Sequence, residues 1–344
     1  MAGLRIAVIG AGMIGRTHIE ALVGSPEASL AAVADPTPAA QALAAKHGVS
    51  HFADTIAMLD TVKPDGAIVA IPNALHVEIG LACLARGIVP LIEKPIAETV
   101  EAAERLVEAG ARAVIPILIG HHRRHNPILV KARELVRGGV LGRLTAITAL
   151  SLFRKPDDYF DVAWRRELGG GPILINLIHN IDDMRFVADE IVSVQALTSS
   201  AVRGFPVEDS AAAVLQFAGG ALGTAIVSDA VAAPWAWELT SGENPFFPPA
   251  QPENCYLFAG TAASLAVPRL ALWRHPGKPG WQAPLGAEPQ PVTEADTYAR
   301  QLAHFCQVIR RAAPPLCDAA DATRTLAVAM AVHTAARTGR PVTF

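Results

Sequence analysis

Leu4-Arg5-Ile6-Ala7-Val8-Ile9-Gly10-Ala11-Gly12-Met13-Ile14-Gly15 is the stretch on which the reading of this chain turns. Leu4 to Ile9 reads as a buried strand and Ile14 to Val23 as a helix, so the glycines fall at the turn between them. The order G-x-G-x-x-G at that place has a physical use. Gly10 permits the tight turn, Gly12 lets the backbone approach a pyrophosphate, and Gly15 allows helix and sheet to pack closely; the amides and dipole of the helix start, around Met13 and Ile14, then hold the phosphates. A second strand, Ala28 to Ala34, ends at Asp35, where an acid hydrogen-bonds the adenine ribose hydroxyls. Its carboxylate repels the additional 2'-phosphate of NADP, and no Arg follows in Asp35-Pro36-Thr37-Pro38, so NAD is favoured over NADP.

The alternation continues with a helix from Pro38 to His47, a strand from Ala67 to Ile71, a helix from His76 to Arg86, a strand from Val89 to Ile92, a helix from Val100 to Ala109 and a strand from Ala113 to Ile119. Apolar strands separated by helices predict parallel β-α-β units covered on both faces, a doubly wound domain. After Gly120-His121-His122-Arg123-Arg124-His125-Asn126-Pro127 the rhythm changes. Leu144 to Phe153, Val192 to Ala201, Ala211 to Phe217, Ala221 to Ser228, Cys255 to Ala259 and Ser264 to Val267 read as strands without regular intervening helices, which predicts a mixed or antiparallel sheet. The fold class is α/β, with a doubly wound domain in residues 1–121 and an α+β domain in residues 122–344. Two Pro/Gly/Trp-rich stretches, 234–252 and 276–291, read as long irregular loops suited to a substrate lid or an oligomer contact. Helices near 294–311 and 318–337 close the chain, with the option of packing back toward the first domain.

The 344 residues are 51% hydrophobic and 18% charged, with a formal net charge of -3. That composition argues against a disordered chain, and its near-neutral balance gives no attraction to nucleic acid or to a membrane surface. The expected partner is a small molecule. Cys83, Cys255, Cys306 and Cys317 form neither a Cys-x-x-Cys pair nor a Cys/His cluster with metal spacing, so no metal and no disulfide framework are expected, and the usage fits a reducing cytoplasm. No run reaches the ~18 apolar residues of a membrane span.

Three more segments are expected at the C-terminal edge of the parallel sheet, where ligands bind in such folds. They are Ile71-Pro72-Asn73-Ala74-Leu75-His76, Glu93-Lys94-Pro95, and the glycine turn Gly169-Gly170-Gly171 leading through Asn176 to His179 and Asp182. Singly, each has a bland alternative: a helix cap at Asn73, a surface ion pair of Glu93 with Lys94, a core histidine at His179. Together they bring a cation and an imidazole toward a nicotinamide.

The ordered set of the Gly10 fingerprint, Pro72-Asn73-x-x-His76, Glu93-Lys94-Pro95, Arg123-Arg124, the triple glycine with His179-x-x-Asp182, and Asp296-x-Tyr298 through His304-Phe305 resembles the glucose-fructose oxidoreductase / inositol dehydrogenase / MocA (Gfo/Idh/MocA) family. The resemblance spans essentially the whole chain. It implies a Rossmann domain followed by a domain with a large open, mostly antiparallel sheet, which commonly makes homodimers and homotetramers. It implies NAD(P)-dependent hydride transfer at a hydroxyl-bearing carbon of a sugar, cyclitol, polyol or related cyclic alcohol. Pro72, Asn73, His76, Glu93 and Lys94 then face the cofactor, and Lys94, with its peptide to Pro95 in the cis form, is the family's catalytic lysine. A lysine bonded to the reacting oxygen stabilises its charge, and His179 is the natural group to take or give the proton, although a lysine whose pKa is lowered beside a cationic nicotinamide can exchange it too. Many polyol dehydrogenases of the family carry an aspartate four residues before the histidine; here Ile175 stands there. Asn176 at i-3 and Asp183 at i+4 are placed on the face of His179 by α-helical spacing. The change makes inositol-type activity doubtful. His122, Arg123, Trp164, Arg165 and Trp235 are further substrate-side candidates, with Trp237 and Glu238 in the same loop as Trp235. Arg123 and Arg124 should alternate, one toward the ligand and one paired at the surface. Two other readings remain beside the dehydrogenase: a glycosidase that uses NAD to form a transient ketone, and a non-catalytic dinucleotide-binding regulator.

Overall fold

The run before the glycine loop is strand β1 (Leu4–Ile9), and helix α1 (Met13–Val23) follows the loop in the computed structural model, which describes residues 3–344. The chain divides into two units. One ends at His125 and takes back Asp296–Leu326; the other holds Asn126–Ala295 and Ala327–Phe344.

In the first unit β2 (Ala28–Ala34), α2 (Pro38–Lys46), β3 (Ser50–Phe52), α3 (Thr55–Val62), β4 (Gly66–Val69), α4 (His76–Leu84), β5 (Val89–Ile92), α5 (Val100–Ala113) and β6 (Leu118–Ile119) follow in turn. All six strands are parallel, in the order β3-β2-β1-β4-β5-β6. This is the doubly wound order whose direction reverses beside β1, the switch point at which such sheets bind ligands. One row of register partners crosses it: Ala34, Ile9, Val69, Ile92 and Ile119. The residue after each is the first to leave the sheet, so Asp35, Gly10, Ala70, Glu93 and Gly120 emerge along one edge.

Sequence and structure part at two places here. The expected strand 113–119 is only Leu118–Ile119, because Ala103, Leu106 and Gly110 keep α5 on its buried face down to Ala113. β3 and α3 carry too little periodicity to be read in advance; Asp54 caps α3 by accepting the Ala57 N–H at 2.7 Å. The core of Ile6, Val8, Ile19, Ile68 and Leu91 is completed by Leu302, Phe305, Cys306 and Val308 from a later helix, Thr297–Ile309. Gly66 admits it, since a Cβ there would lie 2.6 Å from Ile309 Cδ1.

In the second unit α6 (Pro127–Arg137), β7 (Leu144–Leu152), α7 (Ile178–Val187), β8 (Ile191–Ser199), β9 (Ser210–Phe217), β10 (Leu222–Ser228), α8 (Trp237–Thr240), β11 (Tyr256–Gly260), β12 (Ser264–Val267), β13 (Ala271–Arg274) and β14 (Gly286–Pro289) follow. The helix noted above is α9, and α10 (Ala319–Thr338) and β15 (Val342–Thr343) end the chain. Nine strands make a sheet of order β14-β13-β12-β11-β7-β10-β9-β8-β15, antiparallel except for β7 beside β10. The irregular stretches are more ordered than the sequence suggests: the second contains β14, paired with β13, and the first contains α8, whose Trp237 is buried. Trp237 packs edge-on against Tyr256 and donates its Nε1–H to Glu243 at 2.8 Å, so it belongs to the core rather than to a lid. All four cysteines are buried thiols. Among the described residues, no helix is long and apolar enough to cross a membrane.

Candidate functional site

The glycine loop separates into two structural glycines and one that stands open. Gly10 has φ +93, and a Cβ on it would lie 2.2 Å from the Ala70 carbonyl oxygen; a Cβ on Gly15 would lie 2.0 Å from the Gly10 carbonyl oxygen. Gly12 has an ordinary φ of -67, and among the described residues nothing lies within 4 Å of its would-be Cβ. No side chain caps α1 there, so the first amides of the helix are left for a ligand. Met13 and Ile14 stand exposed at the same helix start.

Asp35 is tied to this loop. Its Oδ2 accepts the Ala11 N–H at 2.9 Å, and its Oδ1 accepts the Thr37 N–H at 2.8 Å and the Thr37 hydroxyl at 2.6 Å. Burial alone would raise its pKa; the bonds from Thr37 and Ala11 outweigh that and hold it below the ordinary carboxylate value. Oδ2 keeps a lone pair for a ribose hydroxyl. An open Gly12, an uncapped helix start and an anchored acid at the next strand end fit a dinucleotide.

Farther along the same edge, Pro72 precedes a single 3₁₀ turn, Asn73–Leu75, and Asn73 makes no helix cap. His76 is buried, with Nδ1 2.8 Å from the Pro95 carbonyl and Nε2 2.9 Å from that of Ile71. Burial pulls its pKa down while those carbonyls push it up, and the net shift is downward. Both ring nitrogens thus face backbone carbonyls of two turns rather than reaching outward, and the neutral ring donates to one of them. The Lys94–Pro95 peptide is cis. Glu93 is not half of a surface pair: it is buried, and its Oε1 lies 2.8 Å from His18 Nε2 while Oε2 accepts the Lys94 N–H at 3.2 Å. Burial works against its charge, but the His18 bond and the cations around it keep its pKa below the usual value. Gly120 makes room, since a Cβ there would sit 2.8 Å from the Glu93 carboxylate. His18 meets the edge of Tyr298 at 5.5 Å, and His122 stacks on the same ring at 4.9 Å. The sequence offers no warning of the His18–Glu93 pair beyond a polar residue among the buried positions of α1, next to Ile19.

Arg123 and Arg124 depart from expectation. They lie in a 3₁₀ turn, 122–125, instead of a strand, and both are buried. Arg124 pairs with Asp321 and donates to the Leu316 carbonyl at 3.1 Å, so neither arginine is a surface residue. A 3₁₀ turn does not alternate its side chains as a strand does.

In the second unit the triple glycine turn leads into a π-helical segment, Ile173–Leu177, before α7 begins. The Ile178 N–H reaches back to the Ile173 carbonyl, five residues away, so α-helical spacing between Asn176 and His179 does not apply. Asn176 and His179 are both buried, and Asn176 Oδ1 has no hydrogen-bond partner among the described residues. Asp183 is engaged by Tyr256, whose hydroxyl donates to its Oδ2 at 2.6 Å. Trp164 is half-exposed; Arg165 stacks over Tyr159 at 3.9 Å and donates to its carbonyl at 2.7 Å. Trp235 is partly exposed, with its Nε1–H directed to Glu253 at 3.3 Å. Glu208 was not signalled by sequence. Its Oε1 accepts the Ile173 N–H at 3.1 Å, at the start of the π segment.

A glycine cradle at the switch point of a 3-2-1-4-5-6 sheet, with an anchored acid at the next strand end, defines a dinucleotide-binding α/β protein. Residues 4–121 match the oxidoreductase family with an NAD-binding Rossmann fold, and residues 129–265 match the GFO/IDH/MocA C-terminal domain; the chain belongs to the GFO/IDH/MocA family. It is 29% identical over 213 residues to the rhizopine catabolism protein MocA of Rhizobium meliloti, covering 60% of this chain and 66% of that one. It is 36% identical over 188 residues to the D-glucoside 3-dehydrogenase of Escherichia coli, covering 54% of each. The chain thus spans between half and two thirds of the length of these relatives. Aldose-aldose oxidoreductase from Caulobacter crescentus, solved with glycerol, shares the fold, with a TM-score of 0.82 at 23% identity and full coverage of both chains.

Proposed function

We propose that the protein is an NAD-dependent oxidoreductase that transfers a hydride at a hydroxyl-bearing carbon of a small sugar, cyclitol, polyol or related cyclic alcohol. The observation that carries this reading is the register row of the parallel sheet. It delivers Asp35, Gly10 and Glu93-Lys94 to one edge in the order in which ribose, pyrophosphate and reacting end follow one another. Three strand spacings, about 14 Å in all, separate the first from the last. A bound nicotinamide dinucleotide supplies the hydride acceptor or donor. Gly12 and the amides opening α1 hold its phosphates, and Asp35 its adenine ribose. The charge held on Asp35 supports NAD over NADP, because a 2'-phosphate would be set against an ionised carboxylate.

Lys94 holds the substrate oxygen on which charge develops, and His179 exchanges its proton. Matches of this chain to dehydrogenases of sugars support a hydroxylated substrate, and Ile175 in place of the aspartate common in polyol dehydrogenases supports one other than inositol. The test is a panel of polyols, aldoses, lactones and cyclic diols with NAD and with NADP, read by absorbance of the reduced nicotinamide. Lys94→Ala and His179→Ala should each lower kcat by at least 100-fold on the best substrate. Undiminished turnover in both would refute the assignment, a clear preference for NADP would refute the role of Asp35, and binding without turnover would identify a regulator.

The protein also assembles with itself in this reading. One face of the nine-stranded sheet exposes the row Gln195, Val214, Thr224, Thr148, Leu257, with Leu197, Leu222, Ile226 and Trp273 beside it. An apolar face of this kind suits a second copy of the sheet.

A further inference from the structure

Glu208 occupies a place that only a missing side chain allows. A Cβ on Gly171 would lie 2.3 Å from Glu208 Oε1 and 2.6 Å from Val207 Cγ2, so the carboxylate fills the notch left by the glycine. From there it accepts the Ile173 N–H, one of the amides that a helix start leaves without an intrahelical partner. Its other oxygen lies 4.0 Å from Nδ1 of His333 on α10. The carboxylate is buried. The segment it closes is no ordinary first turn: Ile173–Leu177 is π-helical, carries Asn176, and runs without a break into the helix of His179. π turns are rare and are held only where the surroundings favour them over α-helix.

We infer that Glu208 is a positioning residue, whose carboxylate in the Gly171 notch holds the π turn in register and thereby sets the direction of Asn176 and His179. The inference rests on the reading of His179 as the residue that exchanges the proton. The geometry makes the acceptor oxygen, and not merely the bulk or the charge of the side chain, the part that matters. Without it the Ile173 amide has no partner, and relaxation of the turn by one hydrogen bond toward α-helical spacing would rotate every side chain between the glycines and His179. His179 keeps its chemistry in that case and loses its aim, which costs turnover more than affinity.

The test uses the full chain and the best substrate from the panel above. Glu208→Gln keeps an acceptor at the Ile173 amide, Glu208→Leu keeps the bulk without one, and Glu208→Asp keeps the charge but withdraws it by one methylene. The expected result is near-parental kcat for Gln, and kcat lowered at least tenfold for Leu and Asp, with substrate KM and the Kd of NADH within threefold of the parent. Amide hydrogen exchange at Ile173 should quicken in Leu and Asp alone. Parental kcat in a folded Leu or Asp variant overturns the inference, as does a Gln variant as impaired as Leu. If Leu does not fold, Asp against Gln decides. Parental turnover in His179→Ala would instead overturn the underlying reading, so the two failures are distinguishable.

Discussion

Gly12→Ala and Gly15→Ala, two identical chemical changes three residues apart, should fail in opposite ways. At Gly15 the new methyl would sit 2.0 Å from the Gly10 carbonyl oxygen, more than 1 Å inside contact, and that oxygen belongs to backbone fixed by the turn after β1. Overpacking against rigid backbone costs about 3 kcal/mol or more, so the melting temperature should fall by roughly 6–12 °C. At Gly12 the methyl meets nothing within 4 Å, and φ of -67 suits alanine. The entropy gained from removing a glycine, about 0.4–1 kcal/mol, is offset by the poorer helix-capping tendency of alanine, leaving stability within ~0.5 kcal/mol of the parent. In the proposed binding mode, the open space it fills is the approach of the pyrophosphate. Losing one charged hydrogen bond of about 1.5–3 kcal/mol weakens NADH binding by roughly 10- to 150-fold. Thermal unfolding and calorimetric titration of NADH, run on both variants, read the two effects separately. A Gly12→Ala protein that binds NADH as tightly as the parent, or that loses as much stability as Gly15→Ala, would refute the division of roles.

The buried pair predicts that His18→Leu, which removes the imidazole partner of the Glu93 carboxylate, destabilises the first unit by about 3–5 kcal/mol; denaturant titration would show it, and a loss below 1 kcal/mol would mean that the remaining contacts of Glu93 suffice. Because its folded pKa lies below the ordinary value, Glu93 contributes stability that is complete above about pH 4.5 and fades as pH falls through the lower folded value; in Glu93→Gln, thermal unfolding between pH 5 and pH 3 should be flatter than in the parent. Glu208 has the opposite sign. Burial raises its pKa, with Asp229 adding to the rise and His333 and the Ile173 amide opposing it, so stability present below pH 4.5 is lost as pH rises through the folded value; Glu208→Gln should remove that decline and melt no lower than the parent at pH 7. Ile226→Asp with Leu257→Lys should convert an oligomer to monomer in analytical ultracentrifugation, and an unchanged sedimentation coefficient would exclude that sheet face as the contact.

Much of the fold was legible because it is written locally. Although Gly10 is also pressed by the distant Ala70 carbonyl, a strand, a glycine turn and a helix start are adjacent in the chain, and Gly15 meets a carbonyl only five residues away, at Gly10. The same holds for Asp35 at a strand end and for the alternation of the first unit. What misled was local pattern outvoted by packing: the apolar residues after Ala113 read as strand until α5 used its buried face, and Trp237, in a proline-rich stretch suited to a lid or an oligomer contact, instead fills a core.

The sequence alone thus determined the doubly wound sheet and the glycine turn at its switch point, since those depend on residue order within a few turns of chain, and it made Lys94 and His179 candidates through the order of motifs along the whole chain. The tertiary structure decided which distant residues meet in the interior. His18 lies 75 residues from Glu93, Glu208 lies 35 from Ile173, and Arg124 lies 197 from Asp321. Burial makes each of these contacts consequential, because a charge or an amide taken out of water must find its partner wherever the fold brings one. The π turn belongs to the same class: its wide spacing is not encoded in any pattern of Ile173 to Leu177, and the Gly171 notch with the carboxylate inside it becomes visible only when two distant segments are seen side by side.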